Sequence, residues 1–139
     1  MTDTTAAKPI RPTVTAVNRP FWEGCNRGEL LLQRCASCSR LRYPAAIACP
    51  TCLSPDATWE QVSGSGKVFS FAVFHRVYHP SRQGKVPYNV SLVELDEGPM
   101  MLTNVVEVDN AKLDVGQPVQ VTFERIDDEL AIPVFKPAG

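Results

Sequence analysis

The sequence predicts a mainly β protein in three parts: a short N-terminal helix, a metal-binding ribbon and a small barrel of five or six strands. Three observations predict it. Two Cys-x-x-Cys pairs, Cys35/Cys38 and Cys49/Cys52, stand ten residues apart. The roughly eighty residues that follow alternate apolar and polar positions between glycine and proline corners, with almost no helical period. Ahead of the cysteines, Asn18-Arg19-Pro20-Phe21-Trp22-Glu23 has the make-up of a helix start, and Gly28 stops it about two turns later.

Residues 1–17 hold Thr, Ala and Pro without any period and read as a flexible tail, free or docked on a partner. The helix occupies residues 18–28. Asn18 offers a cap, Pro20 fits the first turn, and Glu23 suits the positive helix end. Phe21, Trp22 and Cys25 give it an apolar side. A helix this short is not stable alone. That side therefore packs on the chain's own ribbon or barrel, or it anchors a partner. Phe21 and Trp22 are the candidate anchors, because aromatic side chains are enriched at interfaces.

The ribbon covers residues 29–60. Glu29 to Arg34 leads as a strand into the first knuckle, Leu41-Arg42-Tyr43 returns from it, and Pro44 breaks the return. The second knuckle ends at Leu53-Ser54-Pro55. A Cys-x-x-Cys pair on a tight turn aims both sulfurs at one point. Cys35, Cys38, Cys49 and Cys52 thus supply the closed tetrahedral set of a structural zinc site. Few large apolar residues lie between Ser37 and Pro55, so metal binding would supply the local folding free energy. Spacing alone leaves iron open as the metal. Two disulfides would need an oxidising compartment. The opening Met1-Thr2-Asp3-Thr4 carries no apolar signal segment, which points to a reducing, cytoplasmic setting. A closed site has no open position for substrate, so no catalytic role is assigned to it. Cys25, outside both knuckles, reads as an ordinary thiol on the helix.

The barrel covers residues 61–139. Trp59 to Val62 runs into the flexible corner Gly64-Ser65-Gly66. Lys67 to His79 is a long strand candidate with Phe69, Phe71, Val73, His75, Val77 and His79 on one face. Its length exceeds the usual strand, so a bulge or bend is expected. Strands follow at Tyr88–Leu95 and Met100–Val108, and Val119, Val121 and Phe123 alternate with Gln120, Thr122 and Glu124 in a third. A short closing strand is expected at Val134–Pro137. By size, the OB-fold is the best match for such a barrel.

With 139 residues, 44% of them hydrophobic and 21% charged, the composition is that of an ordinary globular domain. No apolar run approaches the ~20 residues of a membrane helix. The net charge of −1 divides unevenly: residues 1–55 carry +4 and residues 56–139 carry −5. The front half is the better surface for anions. Arg34, Arg40 and Arg42 flank the knuckles there, either as a solvated face or as candidates for phosphate groups. The sequence holds no Gly-rich phosphate loop, no Gly-x-Ser-x-Gly elbow and no His-Glu-x-x-His. Its histidines, His75 and His79, have no Ser or Cys nucleophile placed beside them by motif. Self-contained catalysis is not expected.

The Pro-Phe-Trp-Glu helix, Gly28-Glu29-Leu30 and the four-cysteine ribbon come first. Gly64-Ser65-Gly66-Lys67-Val68, Pro87-Tyr88 and Val93-Glu94-Leu95-Asp96-Glu97-Gly98 follow in that order. Together they resemble the rubredoxin-like zinc-ribbon plus OB-fold family, long filed as a domain of unknown function and also called acyl-CoA-associated. The resemblance covers roughly residues 18 to 137. It implies an N-terminal helix, a ribbon and a barrel, with all four zinc positions filled here. It also implies a non-catalytic accessory role beside thiolases, thiolase-like acyltransferases or related lyases. Such proteins complete the partner's acyl-CoA site or channel without supplying the catalytic cysteine. The motifs fix no CoA-contacting residue, which leaves Arg34, Arg40 and Arg42 as candidates from charge alone. A second function competes: OB-folds bind single-stranded nucleic acid by stacking bases on strand aromatics, and Phe69, Phe71, Phe74 and Tyr78 are available. Those aromatics are equally the filling a small barrel needs, and the −5 of the barrel half disfavours a polyanion.

Overall fold

The structure is a computed structural model that describes residues 11–138, the side chain of Arg82 excepted. The first ten residues of the expected tail lie outside the described residues. Helix α1 (Arg19–Asn26) is followed by β1 (Leu31–Cys35), β2 (Leu41–Arg42) and β3 (Ala57–Gln61). These strands form an antiparallel ribbon in the order β2-β1-β3. The barrel strands are β4 (Ser65–Phe74), β5 (Tyr88–Leu95), β6 (Met100–Thr103), β7 (Pro118–Arg125) and β8 (Ala131–Pro137), in the order β6-β5-β4-β7-β8. The two edges of this sheet meet at Phe135. Its N–H donates to the Asn104 carbonyl at 3.0 Å, and its carbonyl accepts the Val106 N–H at 2.7 Å. The architecture is mainly β with one short helix, a ribbon and a five-stranded OB barrel, as the sequence predicts.

Three elements differ from expectation. The long strand Lys67–His79 ends at Phe74, because Phe74↔Tyr88 is the last pair that β5 offers it. His75, Val77 and His79 keep the alternation but have no partner strand. The expected irregularity sits between Val68 and Ser70, and there Val68 turns inward while Phe69 stays half exposed. Strand β6 stops at Thr103, not at Val108, because the chain crosses to β8 and Glu107 takes a left-handed conformation (φ 58°). Strand β8 begins three residues earlier than expected, because the register with β7 runs back to Arg125↔Ala131.

One core serves all three parts. Phe21 and Cys25 of α1 and Leu30 and Leu32 of the ribbon pack with Val62, Val68, Val93, Leu95, Met101, Val119 and Phe135. A Cβ on Gly24 would lie 2.8 Å from Leu31 Cγ, so the helix rests directly on the ribbon. Its last residue ties it to the barrel as well: the Asn26 amide donates to the Glu129 carbonyl and accepts from the Ala131 N–H, both at 2.9 Å. Asn18 stands at the N-cap, yet its side chain does not cap the helix. It turns back instead, accepting the Thr15 N–H at 2.7 Å and donating to the Thr13 carbonyl at 3.0 Å. Arg11 pairs with Asp127 and, at 3.6 Å, with Glu129. Arg11 thus ties the start of the described residues to the protein's own barrel.

The joint between ribbon and barrel is short and held by hydrogen bonds. The Ser63 N–H donates to Glu97 Oε2 at 2.9 Å, and the Ser63 carbonyl accepts Gln120 Nε2 at 3.0 Å. The Ser65 hydroxyl donates to Gln120 Oε1 at 2.7 Å. Gly64 between them has φ +78° and touches Val121. Among the described residues, no helix is long and apolar enough to cross a membrane.

Candidate metal centre and its surroundings

The structure brings Cys35, Cys38, Cys49 and Cys52 together. All four Sγ atoms lie within 4.8 Å of one another, with Cys35–Cys52 at 3.5 Å and Cys38–Cys49 at 3.6 Å. A zinc with bonds of about 2.3 Å holds its sulfurs about 3.8 Å apart at tetrahedral corners. The residues present therefore fit a four-thiolate metal site.

The two knuckles repeat one backbone pattern. The Ser39 N–H returns to the Cys35 carbonyl at 3.0 Å, and the Leu53 N–H to the Cys49 carbonyl at 2.8 Å. The Cys35 N–H reaches Arg40 O at 2.9 Å, and the Cys49 N–H reaches Ser54 O at 2.8 Å. The turn demands a left-handed residue after the second cysteine of each pair, and non-glycine residues fill both places: Ser39 (φ 67°) and Leu53 (φ 66°). Leu53 is 76% exposed, so its side chain gains little packing in return. Leu53→Gly is therefore expected to stabilise the metal-loaded protein by about 1 kcal/mol, read as a higher urea midpoint. A loss of stability would show that Leu53 makes a contact that repays the strain.

Backbone donors prepare the sulfurs for a cation. N–H groups of Cys52 and Thr51 aimed at Cys49 lower its thiol to about 6, and those of Cys38 and Ser37 lower Cys35. Each favours the thiolate that a metal binds. Cys52 has a helpful donor in the Ser54 N–H but is pushed up to about 11 by the sulfurs around it, a crowding that a central cation relieves. Cys25 is different. Burial pushes its thiol up to about 12, and it stands outside the cluster. It is an inert core thiol.

The other candidate residues are not gathered into one site. Phe21 is 4% exposed and edge-on to Trp22 at 4.8 Å, so it belongs to the protein's own core and not to a partner surface. Trp22 is half-buried against the same core, and its buried Nε1 has no partner among the described residues. The three arginines also separate. Arg34 grips Glu60 with two bonds of 2.8 and 2.7 Å. Arg42 is buried inside the ribbon and does not face solvent phosphate. Arg40 is exposed and makes no ion pair among the described residues. Arg34 and Arg40 line a cleft of about 690 Å³ below the β5–β6 turn, but Glu97 shares it with them. The register that sets Glu60 beside Arg34 could not be read before pairing was known.

The stacking aromatics divide likewise. Phe71 packs on the core, Phe74 stacks on Tyr88 at 5.3 Å, and Tyr78, 69% exposed, lies under Arg76 at 5.9 Å. Two groupings escaped the sequence reading. His79 does have a serine beside it: the Ser81 hydroxyl lies 2.9 Å from Nδ1, which also accepts the Ser81 N–H at 3.1 Å. This is a cap on the single turn Pro80–Arg82, and Ser81 is buried within it. The second grouping is polar and internal. Asn89 receives the Val105 N–H and the Ser91 hydroxyl on Oδ1, and gives Nδ2 to the Val105 carbonyl and to Asn110. Two polar residues among the inward positions of β5 were the available signal. A cavity of about 230 Å³ opens beside this network.

A four-thiolate ribbon sharing one core with an OB barrel defines a class, the two-domain zinc-ribbon OB-fold proteins. Family profiles place the chain within it: "ChsH2, rubredoxin-like zinc ribbon domain" matches residues 22–57 and "ChsH2, C-terminal OB-fold domain" matches residues 59–124. A solved chain described as "Ltp2-ChsH2(DUF35) aldolase" superposes with a TM-score of 0.84 at 39% identity, over 93% of this chain and 100% of that one. The chain belongs to the ChsH2 (DUF35) family. A "Probable enoyl-CoA hydratase alpha subunit" of Thermomonospora curvata is 41% identical over 99% of this chain, which spans only 44% of that relative. A "DUF35 domain-containing scaffold protein" of Methanothermobacter thermautotrophicus is 29% identical over 74% of this chain and 77% of its own length.

Proposed function

We propose that this chain is a non-catalytic accessory subunit. It docks on an acyl-CoA enzyme of thiolase or acyltransferase type and helps to form that enzyme's acyl-CoA site, with a structural zinc in its ribbon. One observation carries the reading: 93% of the chain superposes on the whole of a solved chain whose description, "Ltp2-ChsH2(DUF35) aldolase", joins ChsH2 to a second component, Ltp2. The chemistry of the chain agrees with it. Four cysteines converge on a closed site, the fifth is buried, and the Ser81 hydroxyl is spent on a turn. On this reading Arg40, exposed and without an ion pair among the described residues, is the ribbon cation best placed for a CoA phosphate.

The test is reconstitution. The purified chain alone is expected to turn over no acyl-CoA thioester, and a thiolase-like protein from the same cell is expected to gain activity on mixing with it. Thioester chemistry from the chain by itself, or a partner indifferent to its addition, would overturn the reading.

A further inference from the structure

Arg42 is the one buried charged side chain among the described residues, 7% exposed, and no carboxylate pairs with it there. Its Nε donates to Gln33 Oε1 at 2.8 Å and its Nη2 to the Ala46 carbonyl at 3.4 Å, while the buried Nη1 has no partner among the described residues. A guanidinium taken out of water without a counter-charge is strongly unfavourable, and an apolar side chain of similar volume often serves stability better. Local packing therefore does not account for a cation here.

Its surroundings do. Gln33 faces Arg42 across the β1–β2 ladder and stands two residues before Cys35, about 7 Å along the strand. Arg40, two residues before Arg42, gives its carbonyl to the Cys35 N–H. The same Gln33 Oε1 accepts the Ala46 N–H at 2.9 Å, three residues before Cys49. Arg42, Gln33 and Ala46 thus join the roots of both knuckles. A divalent metal held by four thiolates leaves that centre two negative charges in excess. The other two ribbon arginines cannot offset them from inside: Arg34 is committed to Glu60, and Arg40 is exposed to solvent and its ions.

We propose that Arg42 is the internal counter-charge of the metal–tetrathiolate centre, fixed beside the knuckles by Gln33. It raises the centre's affinity for zinc and, when iron is loaded instead, raises its reduction potential. The inference rests on reading the ribbon as a metal centre. Arg42 is a positioning and charge-balancing residue, not a ligand.

Two variants of the full chain separate charge from scaffolding. Arg42→Met keeps most of the stem and removes the cation. Gln33→Glu keeps an oxygen to accept from both Arg42 and Ala46, and neutralises the guanidinium in place. Competition against a chromophoric chelator is expected to show each losing about 10- to 100-fold in zinc affinity, with Arg42→Lys close to the parent. In the iron-loaded chain both variants are expected to shift the potential to more negative values, because the reduced centre carries the extra electron that a nearby cation favours. A clamp that only holds loops would behave oppositely. Gln33→Glu would then bind zinc as tightly as the parent or tighter, with an unmoved iron potential, and that result overturns the proposal. Should Arg42→Met fail to fold, Gln33→Glu decides alone. A chain that takes up neither metal overturns the metal-centre reading and this inference with it.

Discussion

Withdrawing the metal is expected to unfold the whole protein, not the ribbon alone. Structural zinc contributes about 10–16 kcal/mol of apparent binding free energy in small zinc-dependent domains. That matches or exceeds the roughly 5–15 kcal/mol by which a whole domain is stable. The ribbon cannot absorb the loss privately. Leu30 and Leu32 belong to the same buried cluster as Val68, Val93, Leu95 and Phe135 of the barrel, and the helix packs across both. Cys38→Ser, or a strong chelator on the parent chain, should therefore abolish the far-ultraviolet signature of the barrel in the same transition that releases the ribbon. Trp22 and Trp59, both packed against that core, give a fluorescence readout of its loss. Cys25→Ser should leave the metal stoichiometry unchanged, because Cys25 stands outside the cluster. A barrel that kept its urea midpoint in metal-free protein would show two independent units instead of one.

Gly64→Ala is expected to cost about 2–5 kcal/mol. Two penalties combine. The left-handed backbone (φ +78°) disfavours any Cβ by about 1–2 kcal/mol. The added methyl would also stand 2.2 Å from Val121 Cγ1, and relieving such an overlap typically costs about 1–3 kcal/mol. Relief means moving the joint, where Ser63 is held by Glu97 and Gln120. Gly84→Ala is the control: its φ is +76° but nothing lies within 4 Å of the new atom, so only the first penalty applies. Urea unfolding of the two variants measures the difference. Equal losses would mean that Val121 moves aside freely.

The four-cysteine cluster was legible because its signal is local. Four cysteines at fixed spacing carry their own geometry, and the structure adds only the matched left-handed residues Ser39 and Leu53. Strand β5 was legible from alternation to the residue. Alternation failed beyond Phe74, where the pattern continues but the pairing stops. It failed again at Thr103, where Asn104-Val105-Val106 crosses to β8 to bring the sheet edges together. Phe21 carried no mark in sequence to say whether it faced inward or toward a partner. That depended on where β7 and β8 lie, about a hundred residues later. The arginines failed for the same reason, since a cation's freedom is decided by the adjoining strand: the diagonal neighbour Glu60 for Arg34 and the opposite residue Gln33 for Arg42.

The Asn26 amide that clasps Glu129 and Ala131 has a consequence in time as well as in space. Its two partners are separated from it by 103 and 105 residues. At about 5–20 residues per second, a ribosome needs roughly 5 to 20 s to deliver Ala131 after it has made Asn26. During that interval the ribbon can already close around its metal, since its strands lie within residues 31–61. The helix can rest on the ribbon, where Gly24 meets Leu31, but it cannot yet clasp the barrel. The part of the Phe21 and Cys25 surface that the barrel covers stays open until the last strand of the barrel emerges.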